Sequence, residues 1–148
     1  MVLVRKRRRL SRLVIVGDEP LVAFNAEHSL VEDGFEIVVT LDRVAEATAL
    51  LEGGTRVDLV LVDVDLADGS ELDVARAAHR LGITVLFTTG NRPPGASALA
   101  AGLLAKPYAM RDLRAAIAAL ELKLSGILPT KLPKGFTLLG GNGPVENG

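Results

Sequence analysis

Apolar residues along this chain come in short runs, and between the runs they come at helical spacing. Leu13 to Val16, Phe35 to Thr40, Val57 to Val64, Ile83 to Thr88 and Leu103 to Ala105 are brief, mostly apolar and rich in β-branched residues. Such runs predict strands covered on both faces, as in a parallel sheet. From Leu21 to Asp33 the residues Leu21, Val22, Phe24, Leu30 and Val31 gather mostly on one helical face, after Pro20 and before Gly34. Val44 to Leu51 predicts a short Ala-rich helix ended by Gly53-Gly54. Ser70 to Leu81 predicts another, with Leu72, Ala75 and Ala78 inward and Gly82 as its stop. Residues 110–124 are amphipathic, with Leu113, Ile117, Leu120 and Leu124 inward. A helix is also due after the fourth strand. There Arg92-Pro93-Pro94-Gly95 leaves only Ala96 to Ala101 for it, so that helix should be short.

This alternation of strand and helix predicts an α/β fold, a doubly wound five-stranded parallel sheet with helices on both faces. The ordered domain is expected over 12–122, after a basic arm at 1–11. A Gly/Pro-rich tail follows at 125–148. It is not purely polar, because Ile127, Leu128, Phe136, Leu138 and Leu139 lie in it, so part of it should dock on the body or on a partner.

Composition narrows the chemistry. Hydrophobic residues make up 49% and aromatics 3%, so the core is aliphatic. The absence of cysteine excludes disulfides and thiolate metal sites. His28 and His79 sit in predicted helices among small and charged residues and form no metal cluster. Six positive charges (Arg5, Lys6, Arg7, Arg8, Arg9, Arg12) stand near the start of a chain whose net charge is −1, leaving −7 on the rest. The arm could touch acidic surfaces, but no aromatic residue interleaves with it to favour single-stranded nucleic acid. No run is long enough to cross a bilayer, and the apolar stretch after the arm is too short for a signal peptide. A cytoplasmic protein is the expectation.

In an open parallel sheet, chemistry collects beyond the carboxyl ends of the strands. Those ends carry Asp18 and Glu19, Asp63 and Asp65, Thr88 and Thr89, and Lys106. Converging carboxylates do not all stay ionised without a cation, and a hard ion with oxygen ligands, Mg²⁺, suits them. A hydroxyl and an ammonium beside that ion make a site for a phosphoryl group. Asp63, on the central strand, is the best-placed acceptor for an aspartyl phosphate.

Four motifs in this order resemble the receiver domain of response regulators in bacterial two-component signalling. Val16-Gly17-Asp18-Glu19-Pro20-Leu21 resembles the acidic turn after strand one, and Leu61-Val62-Asp63-Val64-Asp65 the phosphoacceptor strand. Thr89-Gly90 resembles the switch hydroxyl with its small neighbour, and Lys106-Pro107-Tyr108 the Lys-Pro-aromatic signature. The resemblance implies a flavodoxin-like fold with strand order 2-1-3-4-5. It makes Asp63 the phosphoacceptor and Asp18, Asp63 and the Asp65 backbone carbonyl the ligands of Mg²⁺. Thr89 and Lys106 would bind the phosphoryl group, and the Lys106-Pro107 peptide would be cis. Leu103 and Tyr108 would lie on the partner face.

Three positions depart from the pattern. Gly17 takes the first place of the usual acidic pair, and Glu19 compensates only if the turn shifts. Leu103 replaces a common switch aromatic, and Ala67 a common proline. The run Val85-Leu86-Phe87-Thr88-Thr89-Gly90 resembles the Phe-Ala-Thr-Gly variant of stand-alone receivers in alphaproteobacteria.

The implied function is that of a phosphoacceptor rather than an enzyme. A histidine kinase or phosphotransfer protein would be the donor, and signalling would pass through protein partners, as a phosphate sink, or with a weak homodimer. One rival is a pseudo-receiver that works without phosphorylation, for which Gly17 speaks. Another is a Mg²⁺-dependent phosphatase resembling the haloacid-dehalogenase type. That family wants Thr or Val where Ala67 stands, and an acidic pair late in the chain. Specific DNA binding is not expected, since residues 125–148 cannot house a helix-turn-helix.

Overall fold

A computed structural model describes residues 9–63, 71–89 and 95–140. The elements are β1 (Arg12–Val16), α1 (Pro20–Glu32), β2 (Glu36–Leu41), α2 (Val44–Glu52), β3 (Leu59–Asp63) and α3 (Glu71–Arg80). They continue with β4 (Thr84–Thr89), α4 (Ala96–Leu99), β5 (Gly102–Ala105), α5 (Met110–Leu124) and β6 (Phe136–Leu138). The sheet order is β2-β1-β3-β4-β5-β6. The first five strands are parallel, in the expected order, and α4 is as short as the prolines before it predict.

Strand alternation splits the core in two. Val14, Val16, Val60, Val62, Val85 and Phe87 face one side, under α2 and α3. Leu13, Ile15, Leu59, Leu61, Leu86 and Leu104 face the other, under α1 and α5. Both faces are thus dry, which is why the strand sequences read as continuous apolar runs.

Three expectations need correction. On α1 the buried residues are Ala23, Ala26 and Leu30. Leu21, Phe24 and Val31, expected inward, are 73%, 63% and 52% exposed. The helix is apolar on both sides, so periodicity alone did not say which side meets the sheet.

The packed body is also wider than residues 12–122. At its start Leu10 is buried, with its N–H and that of Arg9 donating to the Glu121 carboxylate. At its end β6 pairs antiparallel with β5, with Leu103 opposite Thr137, and Phe136 and Leu139 are buried. The sheet therefore has a sixth strand.

That strand also corrects the reading of Leu103 as a partner-face residue. Leu103 is 7% exposed, packed within the core and paired to β6. Tyr108, the other partner-face residue, is half-buried against the α1–α5 side of the core.

Candidate functional site

The parallel register brings the carboxyl ends of β1, β3, β4 and β5 to one rim. Val16 lies opposite Val62, Asp63 opposite Thr88, and Thr89 opposite Ala105. Asp63 is therefore the last residue of a fully buried strand and is itself 8% exposed. Beyond β1 the chain turns through Gly17, whose N–H donates to the Leu41 carbonyl at 2.9 Å. Glu19 then serves as the N-cap residue of α1, with Pro20 in the first turn.

On this rim the structure brings together Asp18, Glu19, Asp63 and Lys106. One carboxylate oxygen from each of the three acids lies within 4.8 Å of the others. Lys106 Nζ donates to Glu19 Oε1 at 2.9 Å and forms an ion pair with Asp63 Oδ1. Asp63 Oδ1 is sealed from solvent and accepts no hydrogen bond of ordinary geometry beyond that contact. Thr89 is buried and its carbonyl accepts the Lys106 N–H at 2.9 Å. The Lys106-Pro107 peptide is cis. Asp65, Gly90 and Ala67 lie outside the described residues.

Burial pushes the Asp63 carboxyl above its usual range, with Lys106 opposing and the Glu19 charge adding to the rise. Burial also disfavours the Lys106 cation, but its bonds to Asp63 and Glu19 outweigh this and hold its pKa above normal. The hydrogen bond from Lys106 keeps Glu19 below the ordinary carboxylate range. The Tyr108 phenol is raised, first by burial and then by the Asp63 charge.

Two residues matter more than the sequence suggested. A Cβ on Gly17 would lie 3.2 Å from the Asp63 Cβ, so this glycine faces Asp63 directly. An acid there would stand beside Asp63. Glu19, two residues on, lies in the cluster with Asp18 and Asp63. Thr88 lines the recess of about 20 Å³ around Asp63, with Glu19 and Tyr108, and its side chain hydrogen-bonds Tyr108. Its register opposite Asp63 was the available signal. An open cleft of about 410 Å³ adjoins this recess, lined in part by Asp18, Phe24, Glu27, Asp42 and Glu46.

The donor set tests the fit of a metal. Three carboxylates around a buried, poorly satisfied oxygen suit a hard divalent cation with oxygen ligands, so the residues fit Mg²⁺.

No family model matches the sequence, and no curated protein does. Solved structures do. SdrG from Sphingomonas melonis Fr1 is 31% identical, with a TM-score of 0.64 over 77% of this chain and 98% of that one. The response regulator PhyR from Brucella abortus is 32% identical, with a TM-score of 0.58 over 70% of this chain and 44% of that one. A CheY-like response-regulator receiver domain protein from Methanospirillum hungatei JF-1 has a TM-score of 0.67 at 25% identity, covering 79% of this chain and 95% of that one. The chain belongs to the response-regulator receiver family. Among the described residues, no helix of this receiver is long and apolar enough to cross a membrane.

Proposed function

We propose that this receiver accepts a phosphoryl group from a histidine kinase or phosphotransfer protein onto Asp63. The observation that carries the reading is Asp63 itself. It is a carboxylate at the closed end of the central crevice, contacted by one lysine and flanked by two further acids. In the transfer an Asp63 oxygen would form the new P–O bond as the P–N bond to the donor imidazole breaks, and the electron pair would leave with the imidazole nitrogen. Lys106 is within reach of the oxygens that gain charge. Asp18, Glu19 and Asp63 would hold Mg²⁺, which supplies charge neutralisation at the phosphoryl group. The donor must reach the rim, and the exposed Leu21 and Phe24 in the first turns of α1 favour a protein partner with an apolar helical face.

The subgroup reading rests on Phe87-Thr88-Thr89-Gly90, and we extend the proposal to a stand-alone receiver of that type, signalling through protein partners or draining phosphate. PhyR from Bartonella quintana, which shares the fold, is an anti-anti-sigma factor. That favours a protein rather than a nucleic acid as the downstream target.

One observation favours a second reading, the pseudo-receiver. Lys106 already bridges Asp63 and Glu19, and Gly17 stands where the usual acidic pair has its first acid. Amide NMR spectra with Mg²⁺, before and after beryllofluoride, separate the two. The phosphoacceptor reading expects shifts at Asp63, Thr89 and Lys106 that Asp63→Asn abolishes. Silence at saturating Mg²⁺ would hand the site to the pseudo-receiver.

A further inference from the structure

The sixth strand touches the end of the sheet that carries the site. It follows the exposed connector 126–135, in which Ile127, Leu128 and Leu132 are open to solvent. It pairs with β5 over Gly102 to Leu104, and bonds at both ends extend the pairing. The Ala105 N–H donates to the Gly135 carbonyl at 2.9 Å, and the Leu139 N–H to the Ala101 carbonyl at 2.8 Å. The Phe136 ring lies flush on Gly102, where any Cβ would come within 2.6 Å of a ring carbon. Lys123 Nζ, from α5, donates to the Leu139 carbonyl at 2.7 Å.

Ala105 is the residue before Lys106. Its N–H is tied to β6, while the next N–H, that of Lys106, is tied to Thr89 of β4. The only cation contacting Asp63 among the described residues thus leaves a backbone clamped between two strands. The clamp on Ala105 is the carbonyl of Gly135, which leads into a three-residue strand at the sheet edge. A short strand at a sheet edge, paired on one side alone, opens at lower cost than the sheet's centre. A shift of the Lys106 backbone would reach Ala105 and so the bond that begins the strap.

We propose that residues 135–139 form a strap coupled to the acid–lysine site. Seated, it holds Lys106 where it bridges Asp63 and Glu19; when Lys106 is drawn onto a phosphoryl group at Asp63, the strap loosens and uncovers the β5 edge. The coupling is reciprocal, so loosening the strap also weakens the bridge. The coupling stands on the geometry, and its trigger rests on the proposed phosphoacceptor function.

The test uses the full chain and two arms. In the first, hydrogen exchange at the Ala105 and Leu139 amides is followed by NMR with Mg²⁺, with and without beryllofluoride. Exchange should quicken on the order of tenfold, while the Leu51 amide in α2 keeps its rate. Shifts at Asp63 and Thr89 without faster exchange at the strap would overturn the inference and leave the phosphoacceptor reading standing. In the second arm no ligand is added. Phe136→Leu keeps an apolar side chain on Gly102, and Lys123→Ala removes only the tether, so both variants should stay folded. The readout is the Glu19 carboxyl ¹³C shift, across the site from the strap. A changed Glu19 signal in either variant supports the coupling even if beryllofluoride does nothing, a result that would count against the phosphoacceptor reading alone. An unmoved Glu19 signal in both variants sinks the strap.

Discussion

Asp58 and Asp63 bracket the same strand, yet the fold treats them in opposite ways. Asp58 enters β3 at its amino end. Its carboxylate accepts the N–H groups of Ser11 and Arg12 and the Ser11 hydroxyl, at 2.8 to 3.0 Å. Burial alone would raise its pKa, but these bonds outweigh burial and hold it below the usual range, helped by Arg56. Asp63 leaves β3 at the carboxyl end with one ammonium beside it, and burial pushes its pKa up. The first acid is satisfied and holds the entry to β1 in place. The second is kept under-satisfied, the condition in which a carboxylate gains by taking up a metal ion or a phosphoryl group.

The contrast can be broken at its stable end. Asp58→Ala strips two backbone N–H groups and a hydroxyl of their acceptor and should cost about 3 kcal/mol in urea unfolding. A loss within experimental error would mean that water replaces the carboxylate without penalty.

The pH dependence sharpens the contrast, because the two acids act with opposite sign. The Asp58 pKa is lowered on folding, so its stabilisation is full above the unfolded value of about 3.9 and is lost as pH falls through the folded value. The Asp63 pKa is raised, so its contribution is full below about 3.9 and is lost as pH rises through its folded value. Asp58→Ala should therefore flatten the acid limb of a stability–pH curve. Asp63→Asn should instead remove a loss that sets in above that value.

A smaller effect is expected at neutral pH, where Asp63→Asn should leave stability unchanged or raise it by up to about 1 kcal/mol, since Lys106 keeps Glu19 as a partner. Thermal unfolding without Mg²⁺ checks this, and a marked loss would mean that Asp63 is structural like Asp58. The smallest effect belongs to the exposed pair of Arg80 and Glu52. Arg80→Ala should change stability by less than about 0.5 kcal/mol, far from either acid.

Much of this was legible from residue order. The five parallel strands fall within a residue or two of the apolar runs; in β1, β3, β4 and β5 burial on both faces leaves little room for polar positions, while β2, at the edge, is half-buried. The acids and the lysine were legible because they end those runs. The facing of α1 was not, since Leu21, Phe24 and Val31 are as apolar as the Ala23, Ala26 and Leu30 that meet the sheet. Nor was the engagement of Glu19, which rests on Lys106 reaching across from the end of β5.

Sequence alone determined the alternation of strand and helix, the order of chemical groups at the strand ends and the shortness of α4. These follow from local periodicity and from prolines and glycines acting where they stand. Tertiary structure alone decided that Phe-Thr-Leu at 136–138 becomes a strand. Three residues in a Gly/Pro-rich stretch have no strand tendency strong enough to act by themselves. Their hydrogen-bond partners are the open backbone of β5, and the seat for Phe136 exists because Gly102 has no side chain.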